Sequence, residues 1–316
     1  MSKVLITDYI ANPDVEKEVL GDYLCAAAND QVEVILVWHQ KVDKEYIDRF
    51  PNLKGIVRYG VGYDNIDINY ATSKGVVFCN TPDYGTDEVS DTAMAMILNI
   101  VRGVTRYDFM CREYTDTWQE NTLAELKRSD ELILGIIGAG RIGGSVAIKS
   151  KAFGIKVIIY DPYKDRGYEK MLGVNRVDEL DQLLDASDIV SFHAPLTSET
   201  KGIVNERFVS KMKKHSSFIN TARGQVISDI DIFYDPLINN QLNCIALDVL
   251  PYEPPKNSKL IQAWRNRDKV LDGRVIINPH TAYFSGKAFW EMRFKAASNV
   301  KRILDGKTPF NVISNT

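Results

Sequence analysis

Cysteine is scarce in this chain, and its spacing excludes several kinds of site. The four cysteines are isolated from one another and none forms a CxxC pair: they are Cys25, Cys79, Cys111 and Cys244. Without paired cysteines, we expect neither a zinc site nor a thioredoxin-like redox motif. Isolated thiols are typical of a protein kept in a reducing cytosol, where disulfides rarely persist. The sequence therefore predicts free cysteines and no bound metal.

Excess positive charge and long apolar runs are also missing. The net charge is −3, from 39 basic and 42 acidic residues, so no overall positive field favours nucleic acid. No apolar stretch approaches the roughly 20 residues that a membrane-spanning helix requires. The chain begins with MSKVLITDYI, which reads as a strand and lacks the apolar core of a signal peptide. We expect a cytoplasmic protein that binds neither nucleic acid nor membrane.

The chain contains short apolar runs, rich in β-branched residues, in two groups separated by helical patterns. The first group reads KVLITD, VEVILVW, LKGIVRYG and GVVFCNTP, and the second reads LILGIIGAG, KVIIYDP, DIVSFHAPL, SSFINTARG, NCIALDVL and RVIINPH. Strands that are apolar on both faces are typical of parallel sheets covered by helices on both sides. The 316 residues are enough for two cores. The sequence therefore predicts two doubly wound α/β domains.

Three helical segments carry structural predictions. Residues 87–110 predict one long helix, capped by Thr86 or Asp87, which is either an ordinary core helix or one that also packs across a dimer interface. The last helical pattern, KAFWEMRFKAASNVKRILDGK, should end at Gly306, because glycine suits a helix C-terminus. In SDIDIFYDPLINNQL, Pro236 predicts a kink or a break, since proline removes a backbone hydrogen bond.

The glycine-rich segment LILGIIGAGRIGG follows an apolar run and precedes a helical pattern. Gly138, Gly140 and Gly143 have the GxGxxG spacing of a dinucleotide-binding turn, and the next apolar run ends at Asp161, 18 residues after Gly143. A carboxylate there hydrogen-bonds the adenosine ribose and repels a 2′-phosphate, so the segment predicts NAD(H) rather than NADP(H). The alternative is a glycine turn without a ligand, which the strand, the helix and the acid together disfavour.

His280, in NPHTAYFSG, is one of four histidines and follows an apolar run almost directly. Carbonyl reduction with a nicotinamide needs a general acid, and histidine suits this role because its pKa lies near neutrality. Arg223, in NTARG, can grip a carboxylate with its planar fork, and Glu253, in VLPYEP, can orient the imidazole. Each residue alone is more simply a surface or core side chain. Because the three follow successive strands of one sheet, the sequence favours a shared catalytic role.

Six motifs, in this order, resemble the D-isomer-specific 2-hydroxyacid dehydrogenase family over nearly the whole chain. They are GVGYDNID (60–67), GIIGAGRIG (135–143), YDP (160–162), NTARG (220–224), ALDVLPYEP (246–254) and NPHTA (278–282). Within this family the chain is most similar to the C-terminal-binding-protein branch, whose bacterial members are often described as phosphoglycerate dehydrogenase-like. The resemblance implies a Rossmann NAD domain, 83–291, and a flavodoxin-like substrate domain, 1–82 and 292–316, with a cleft between them.

The resemblance also implies roles for individual residues. Arg223 would bind the substrate carboxylate and carbonyl oxygen, and His280 would be the acid/base, with Glu253 as its partner. The residues that bind the cofactor, NAD, would be Gly138, Gly140, Arg141, Ile142, Gly143, Asp161, His193, Pro195, Thr200, Thr221, Ala222, Asp248 and Ala282. The residues that bind the substrate would be Arg58, Tyr59, Gly60, Val61, Gly62 and Tyr283. Backbone N–H groups of the loop 59–62 would hold the substrate carboxylate, and Asp248 would approach the nicotinamide amide.

Other features leave the substrate open. Tyr283 stands where corepressor-like relatives carry Trp, so the identity of the substrate does not carry over. The segment between Glu253 and His280 is long and basic, and its cations either face a phosphorylated substrate or, as charge runs usually do, lie on a solvated surface: they are Lys256, Lys259, Arg265, Arg267 and Lys269. No regulatory domain is expected after the second sheet.

Two functional hypotheses follow. The first is an NAD-dependent dehydrogenase that interconverts a small D-2-hydroxy acid and its 2-keto acid, as a homodimer formed through the NAD domain. The alternative is an NAD(H)-sensing scaffold that binds protein partners, as corepressors of this branch do, with little turnover. In both hypotheses His193 is a neighbour of the cofactor, and His39 and His215 are structural or surface residues.

Overall fold

The computed structural model describes residues 2–8, 10–116 and 118–313. Its chain divides into two compact units. The first unit combines the residues up to Gly85 with those from Phe284 onward, and the second is Thr86–Tyr283. The predicted NAD domain included residues 83–85 and 284–291, which the structure assigns to the first unit. The physical reason at the second boundary is helical continuity, because one unbroken helix begins at Gly286 and packs within the first unit.

Among the described residues, the sheet of the first unit has four parallel strands. They are β1 Val4–Ile6, β2 Val34–Val37, β3 Gly55–Arg58 and β4 Val77–Cys79, in that spatial order. Leu24 forms a parallel bridge with Val4 on the free edge of β1. If this bridge is counted as a short second strand, the order becomes 2-1-3-4-5, which is that of a flavodoxin-like sheet. The predicted fold of this unit is confirmed.

Three of the four helices described in the first unit begin at side-chain caps. The four helices are α1 Asp14–Leu20, α2 Lys44–Ile47, α3 Ile68–Ser73 and α12 Gly286–Leu304. Asp43, Asp67 and Ser285 precede three of these helices, and each side chain accepts a hydrogen bond from a backbone N–H of the first turn. The final helix ends at Leu304, and Gly306, two residues later, closes its C-terminus as predicted, with a φ of 70° and an N–H that donates to Ile303 O at 3.1 Å.

A buried ion pair joins the first and last helices of this unit. Glu16 of α1 is fully buried and accepts hydrogen bonds from the guanidinium of Arg293 of α12, with Nε 3.0 Å from Oε1. The hydroxyl of Tyr59, at the end of β3, donates to the same oxygen at 2.8 Å. Because a buried charge is tolerated only with a partner, this contact fixes α12 against α1.

The second unit contains a seven-stranded parallel sheet within the described residues. Its strands are β5 Ile133–Ile137, β6 Lys156–Tyr160, β7 Asn175–Arg176, β8 Ile189–Phe192, β9 Ser216–Asn220, β10 Leu242–Leu247 and β11 Val275–Ile277. The spatial order is β11-β10-β9-β8-β5-β6-β7. The order in which strands are added therefore reverses between β5 and β8, which is the switch point of a Rossmann fold. All six predicted runs form strands, and the short polar strand β7 was not predicted.

Helices cover both faces of this sheet. They are α4 Thr86–Arg102, α5 Val104–Cys111, α6 Arg141–Ala152, α7 Tyr168–Leu172, α8 Leu180–Ala186, α9 Glu206–Lys211, α10 Tyr234–Ile238 and α11 Lys259–Arg265. Short 3₁₀ segments lie at Gly21–Tyr23, Ser129–Glu131, Gly224–Val226 and Ile230–Phe233. Ile136 and Ile137 of β5 enter opposite core clusters, so both faces of the strand are buried, as the apolar run predicted.

The prediction of one helix over residues 87–110 is wrong, because the segment forms two helices. Gly103 separates α4 from α5 and has a left-handed φ of 63°. A Cβ at this position would lie 2.8 Å from Leu123 Cδ1, so a larger residue would also have to displace the Leu123 side chain. The sequence context alone did not reveal this contact.

Pro236 lies within the first turn of the short helix α10, which follows the 3₁₀ segment Ile230–Phe233. A first-turn backbone position needs no N–H donor, so proline is accommodated there. The expected break is therefore present ahead of the proline, where the backbone changes from 3₁₀ to α geometry.

Candidate active site

The glycine turn after β5 lies at the switch point of the second sheet. Gly138 has a φ of 87°, and a Cβ on it would lie 2.5 Å from Ala194 N in the loop after β8. A Cβ on Gly143 would lie 2.0 Å from Gly138 O, so the helix packs directly on the turn. By contrast, a Cβ on Gly140 would have no neighbour within 4 Å. Two glycines therefore permit close packing, and the third leaves open space beside the backbone.

The open space lies at the N-terminus of α6. Gly140 is the residue before this helix, and no side chain caps it. Uncapped N–H groups and the positive end of the helix dipole together form a favourable site for a phosphate group. Arg141 is exposed and Ile142 half-buried in the first turn. The arrangement fits the pyrophosphate of a dinucleotide.

Asp161 connects the end of β6 to the glycine turn. Its carboxylate accepts hydrogen bonds from Ala139 N at 2.9 Å and from Tyr163 N at 3.0 Å. A carboxylate has about four lone-pair sites, so two remain for ribose hydroxyls. The position of Asp161 fits the ribose-binding role that the spacing predicted.

His193 follows β8, on the other side of the switch point from the glycine turn. Its Nε2 lies 2.8 Å from Ser191 Oγ, and its Nδ1 lies 3.4 Å from Thr221 Oγ1. Burial lowers the pKa of His193 from 6.5 to about 4. The imidazole is therefore neutral at physiological pH and is unsuited to donate a proton as an imidazolium.

The loop after β9 presents Arg223 and is held by Asn220. The side chain of Asn220 accepts from Ala222 N at 2.9 Å and donates to Arg223 O at 2.9 Å. A Cβ on Gly224 would lie 1.8 Å from Leu250 O, so this loop touches the loop after β10. These two contacts explain why the NTARG segment needs both its Asn and its Gly.

Glu253 and His280 form a direct contact at the carboxyl edge of the second sheet. Glu253 Oε2 lies 2.8 Å from His280 Nδ1, and Glu253 Oε1 accepts a hydrogen bond from Leu250 N at 2.9 Å. Both side chains are partly exposed, at 38% for Glu253 and 44% for His280. The structure therefore brings together two residues that lie 27 positions apart in the sequence.

The charge of Arg223 also acts on this pair. Burial raises the pKa of Glu253, but the hydrogen bond and charge of His280, the Leu250 N–H and the charge of Arg223 outweigh burial. The net effect holds the pKa of Glu253 below its ordinary value of 4.5. Glu253 is therefore an ionised carboxylate at neutral pH, and its contact holds the Nδ1 side of the His280 ring.

Asp248 anchors the backbone on both sides of His280. Its main-chain oxygen accepts from His280 N at 2.8 Å, and its carboxylate accepts from Thr281 N and Ala282 N, each at 3.1 Å. His280 has a left-handed φ of 57°, which is uncommon for a side chain of this kind. Burial raises the pKa of Asp248 above 3.8, and the N–H of Ala282 and the charge of His280 lower it by less. This anchoring was missed from the sequence, where Asp248 was predicted only as a nicotinamide contact.

The region that contains these contacts matches a known family. Residues 94–282, more than half of the chain, match the family model described as "D-isomer specific 2-hydroxyacid dehydrogenase, NAD binding domain". The chain belongs to the D-isomer-specific 2-hydroxyacid dehydrogenase family. The predicted resemblance is confirmed, and NAD is the cofactor of the matched domain.

Individual members of the family resemble the chain over nearly its whole length. D-3-phosphoglycerate dehydrogenase of Methanocaldococcus jannaschii is 30% identical over 99% of the chain, and C-terminal-binding protein 1 of Caenorhabditis elegans is 28% identical over 98%. The chain spans 60% and 41% of the lengths of these two relatives. The crystal structure of D-lactate dehydrogenase from Aquifex aeolicus with NAD and lactic acid has a TM-score of 0.85 and 29% identity, and the match covers 99% of this chain and 100% of that one.

The remaining cofactor positions that the dehydrogenase family implies lie in the second unit. The hydroxyl of Thr200 donates to Pro195 O at 2.6 Å and thereby closes the turn after β8. Ala282 is buried, and Tyr283, the predicted substrate contact and the last residue of the unit, is partly exposed. These residues occupy loops at the carboxyl ends of parallel strands, where ligands of such sheets bind.

The substrate positions that the family implies in the first unit follow β3. Tyr59 N donates to Val37 O at 2.8 Å, and Gly60 N donates to Thr81 Oγ1 at 2.6 Å. Two of the four N–H groups in the loop 59–62 are therefore already used within the unit. Val61 and Gly62 supply the other two. The side chain of Arg58 folds back over this turn, with Nη1 3.3 Å from where a Cβ of Gly60 would stand.

The basic segment after Glu253 makes local contacts at the surface of the second unit. Arg265 donates to Asn257 Oδ1 and Arg267 to Asp272 Oδ2, at 2.8 and 3.0 Å. The ammonium of Lys269 lies 2.9 Å from Glu113. In the part of the chain that the structure describes, no helix is long and apolar enough to cross a membrane, and no cluster of His, Cys, Asp or Glu side chains could hold a metal ion.

Proposed function

We propose that the protein is an NAD-dependent oxidoreductase that interconverts a D-2-hydroxy acid and its 2-keto acid. The observation that carries the proposal is the contact of Glu253 with His280, under the charge of Arg223, on the sheet that bears the glycine turn. A general acid, an ionised partner and a carboxylate-binding cation are what the reduction of a 2-keto acid requires. The D-lactate dehydrogenase of similar structure supports the same chemistry.

His280 is the proposed acid/base. NAD, when bound, supplies or accepts the hydride at its nicotinamide ring. His280 donates a proton from Nε2 to the 2-oxygen during reduction and takes it back during oxidation. Its Nδ1 faces Glu253, whose negative charge stabilises the imidazolium before the proton leaves. The anchoring by Asp248 holds the ring in place through the reaction, without rearrangement of the backbone.

Arg223 and the loop after β3 are the proposed binding groups for the substrate. The planar guanidinium of Arg223 can donate at once to a carboxylate and to the neighbouring carbonyl oxygen. The donation polarises the carbonyl and favours hydride addition at the adjacent carbon. In the first unit, the N–H groups of Val61 and Gly62 are the proposed carboxylate donors, with Arg58 beside them. Tyr283 is the proposed contact for the substrate side chain.

A panel of 2-keto acids with NADH and NADPH tests the proposal. His280 has a left-handed backbone, so His280→Asn removes the imidazole while keeping a residue that tolerates this conformation. We expect His280→Asn and Arg223→Ala each to lower kcat/KM by roughly a hundredfold or more. His215→Asn is a matched control, because His215 also has a positive φ, of 64°, and is exposed. Turnover like that of the wild type in either site variant contradicts the assignment.

A second candidate function is that of an NAD(H)-sensing scaffold. The similarity to C-terminal-binding protein 1 of Caenorhabditis elegans, 28% identical over 98% of the chain, favours it. Dimerisation through the second unit would then report the bound nucleotide. Absence of turnover with every 2-keto acid, together with a dimer that forms only with NADH, would support the scaffold over the enzyme. Sedimentation with and without NADH measures the assembly directly.

A further inference from the structure

Thr81 lies directly after β4 and makes three hydrogen bonds to the loop that follows β3. Its hydroxyl accepts from Gly60 N at 2.6 Å and donates to Arg58 O at 3.3 Å. Its own N–H donates to Gly60 O at 3.1 Å. The side chain is only 1% exposed, so water cannot replace these partners. Thr81 therefore fixes both peptide groups of Gly60.

Asn80, the preceding residue, holds the next peptide. Its side-chain amide donates to Val61 O at 2.7 Å, and the residue is 5% exposed. Gly60 has a φ of 111°, a conformation that side-chain-bearing residues rarely adopt, so the turn needs external support. The contacts of Asn80 and Thr81 use Gly60 N–H, Gly60 O and Val61 O. The N–H groups of Val61 and Gly62 are left as adjacent donors.

We propose that Thr81, assisted by Asn80, is a positioning residue for substrate binding. It sets the peptide orientation of the turn so that the N–H groups of Val61 and Gly62 converge on one carboxylate. Successive backbone N–H groups held in this way form a site for an anion. Neither side chain needs to touch the substrate. The inference rests on the proposed function, because it explains what holds the carboxylate-binding turn of that enzyme in shape.

Thr81→Val tests the role of the hydroxyl with little change of shape. Loss of the acceptor leaves Gly60 N–H buried without a partner, so the turn relaxes and its donors diverge. We expect the KM for a 2-keto acid to rise roughly tenfold or more, the ratio that a lost buried hydrogen bond commonly produces. The kcat and the affinity for NADH, measured by fluorescence titration, should stay near those of the wild type. Thr81→Ser keeps the hydroxyl and should restore most of the KM.

The control is Thr72→Val, which removes an exposed hydroxyl from α3 of the same unit. An unchanged KM in Thr81→Val overturns the inference, and so does a fall in kcat at constant KM. If Thr81→Val does not fold, Asn80→Ala provides the second variant, with the same expected rise in KM and the same outcomes against it.

Amide resonances separate this inference from the proposed function. We expect oxamate, an analogue of a 2-keto acid, to shift the Val61 and Gly62 amide signals of the wild-type holoenzyme, and to shift them much less in Thr81→Val. Turnover without any shift of these two amides overturns the inference while the enzyme assignment stands. A shift that needs Thr81, in a protein without turnover, supports the positioning role while the enzyme assignment fails.

Discussion

The neutral state of His193 makes the stability of the second unit sensitive to acid. Burial holds the pKa of this imidazole at about 4 in the folded protein, against 6.5 when it is free. Between these two values the unfolded chain binds a proton that the folded chain does not. Unfolding therefore becomes easier as the pH falls from about 6.5 to about 4, and the stability contribution is fully present above 6.5.

The size of the effect follows from the two pKa values. One pKa unit corresponds to about 1.4 kcal/mol, so complete acidification costs about 3 kcal/mol, of which about 2 kcal/mol is lost between pH 7.5 and pH 5. His193→Gln replaces the imidazole with a neutral amide that can still bond Ser191 and Thr221. We expect this variant to lose about 2 kcal/mol less than the wild type over the same pH interval.

Urea unfolding at pH 7.5 and pH 5, followed by hydrogen exchange of the β5 amides, measures the free energy of unfolding of this unit. The matched control is His215→Asn, which removes an exposed histidine from the same unit and should follow the wild type. Comparison of the variants cancels the contribution of carboxylates that titrate in both proteins. Equal losses in wild type and His193→Gln would refute the reasoning, because the buried imidazole would then not be the acid-sensitive group.

Three further variants test other contacts. Asp161→Asn should lower the ratio of kcat/KM with NADH to kcat/KM with NADPH by roughly tenfold, because it removes the charge that repels a 2′-phosphate. An unchanged ratio would show that another group selects the cofactor. Gly103→Ala should lower the free energy of unfolding by about 1–2 kcal/mol, since the left-handed φ and Leu123 both oppose a Cβ, and thermal melts that match the wild type would argue against this. Arg293→Met should cost about 3–5 kcal/mol in urea unfolding, because it leaves the charge of Glu16 buried with no cation beside it and only the Tyr59 hydroxyl as a donor. A loss under 1 kcal/mol would mean that Glu16 is solvated.

The strands other than β7 were predictable because a short, continuously apolar run indicates a strand that is buried on both faces of a sheet. Strand β7 was not predicted, because Asn175 and Arg176 are polar and lie at the edge of the sheet, where no apolar run marks the strand. The left-handed Gly103 lies close to Leu123, which is 20 positions further along the chain. Local patterns cannot report such a contact, because helix propensity says nothing about which side chain will later pack against a backbone.

The contact of Glu253 with His280 was predictable from the sequence, but the backbone hydrogen bonds around the candidate site were not. Strand-end position brought Glu253 and His280 together, because parallel strands end at one edge of a sheet. The use of Gly60 N–H by Thr81 was not predictable, since any of the four loop amides could have faced the substrate. Polar partners at strand ends are chosen by the exact course of neighbouring loops, which motif spacing does not specify.

The ion pair between Glu16 and Arg293 joins positions 277 residues apart. Its two partners therefore leave the ribosome at different times during synthesis. A ribosome that adds roughly 5–20 residues per second separates the emergence of the two partners by about 15–55 s. The second unit is continuous in sequence and is complete before α12 leaves the exit tunnel. During this time the nascent first unit contains Glu16, whose carboxylate is buried in the folded protein, but not yet Arg293, its cationic partner. Until α12 emerges, α1, β2 and β3 lack the helix that packs on them, and the apolar surface exposed in this interval favours aggregation.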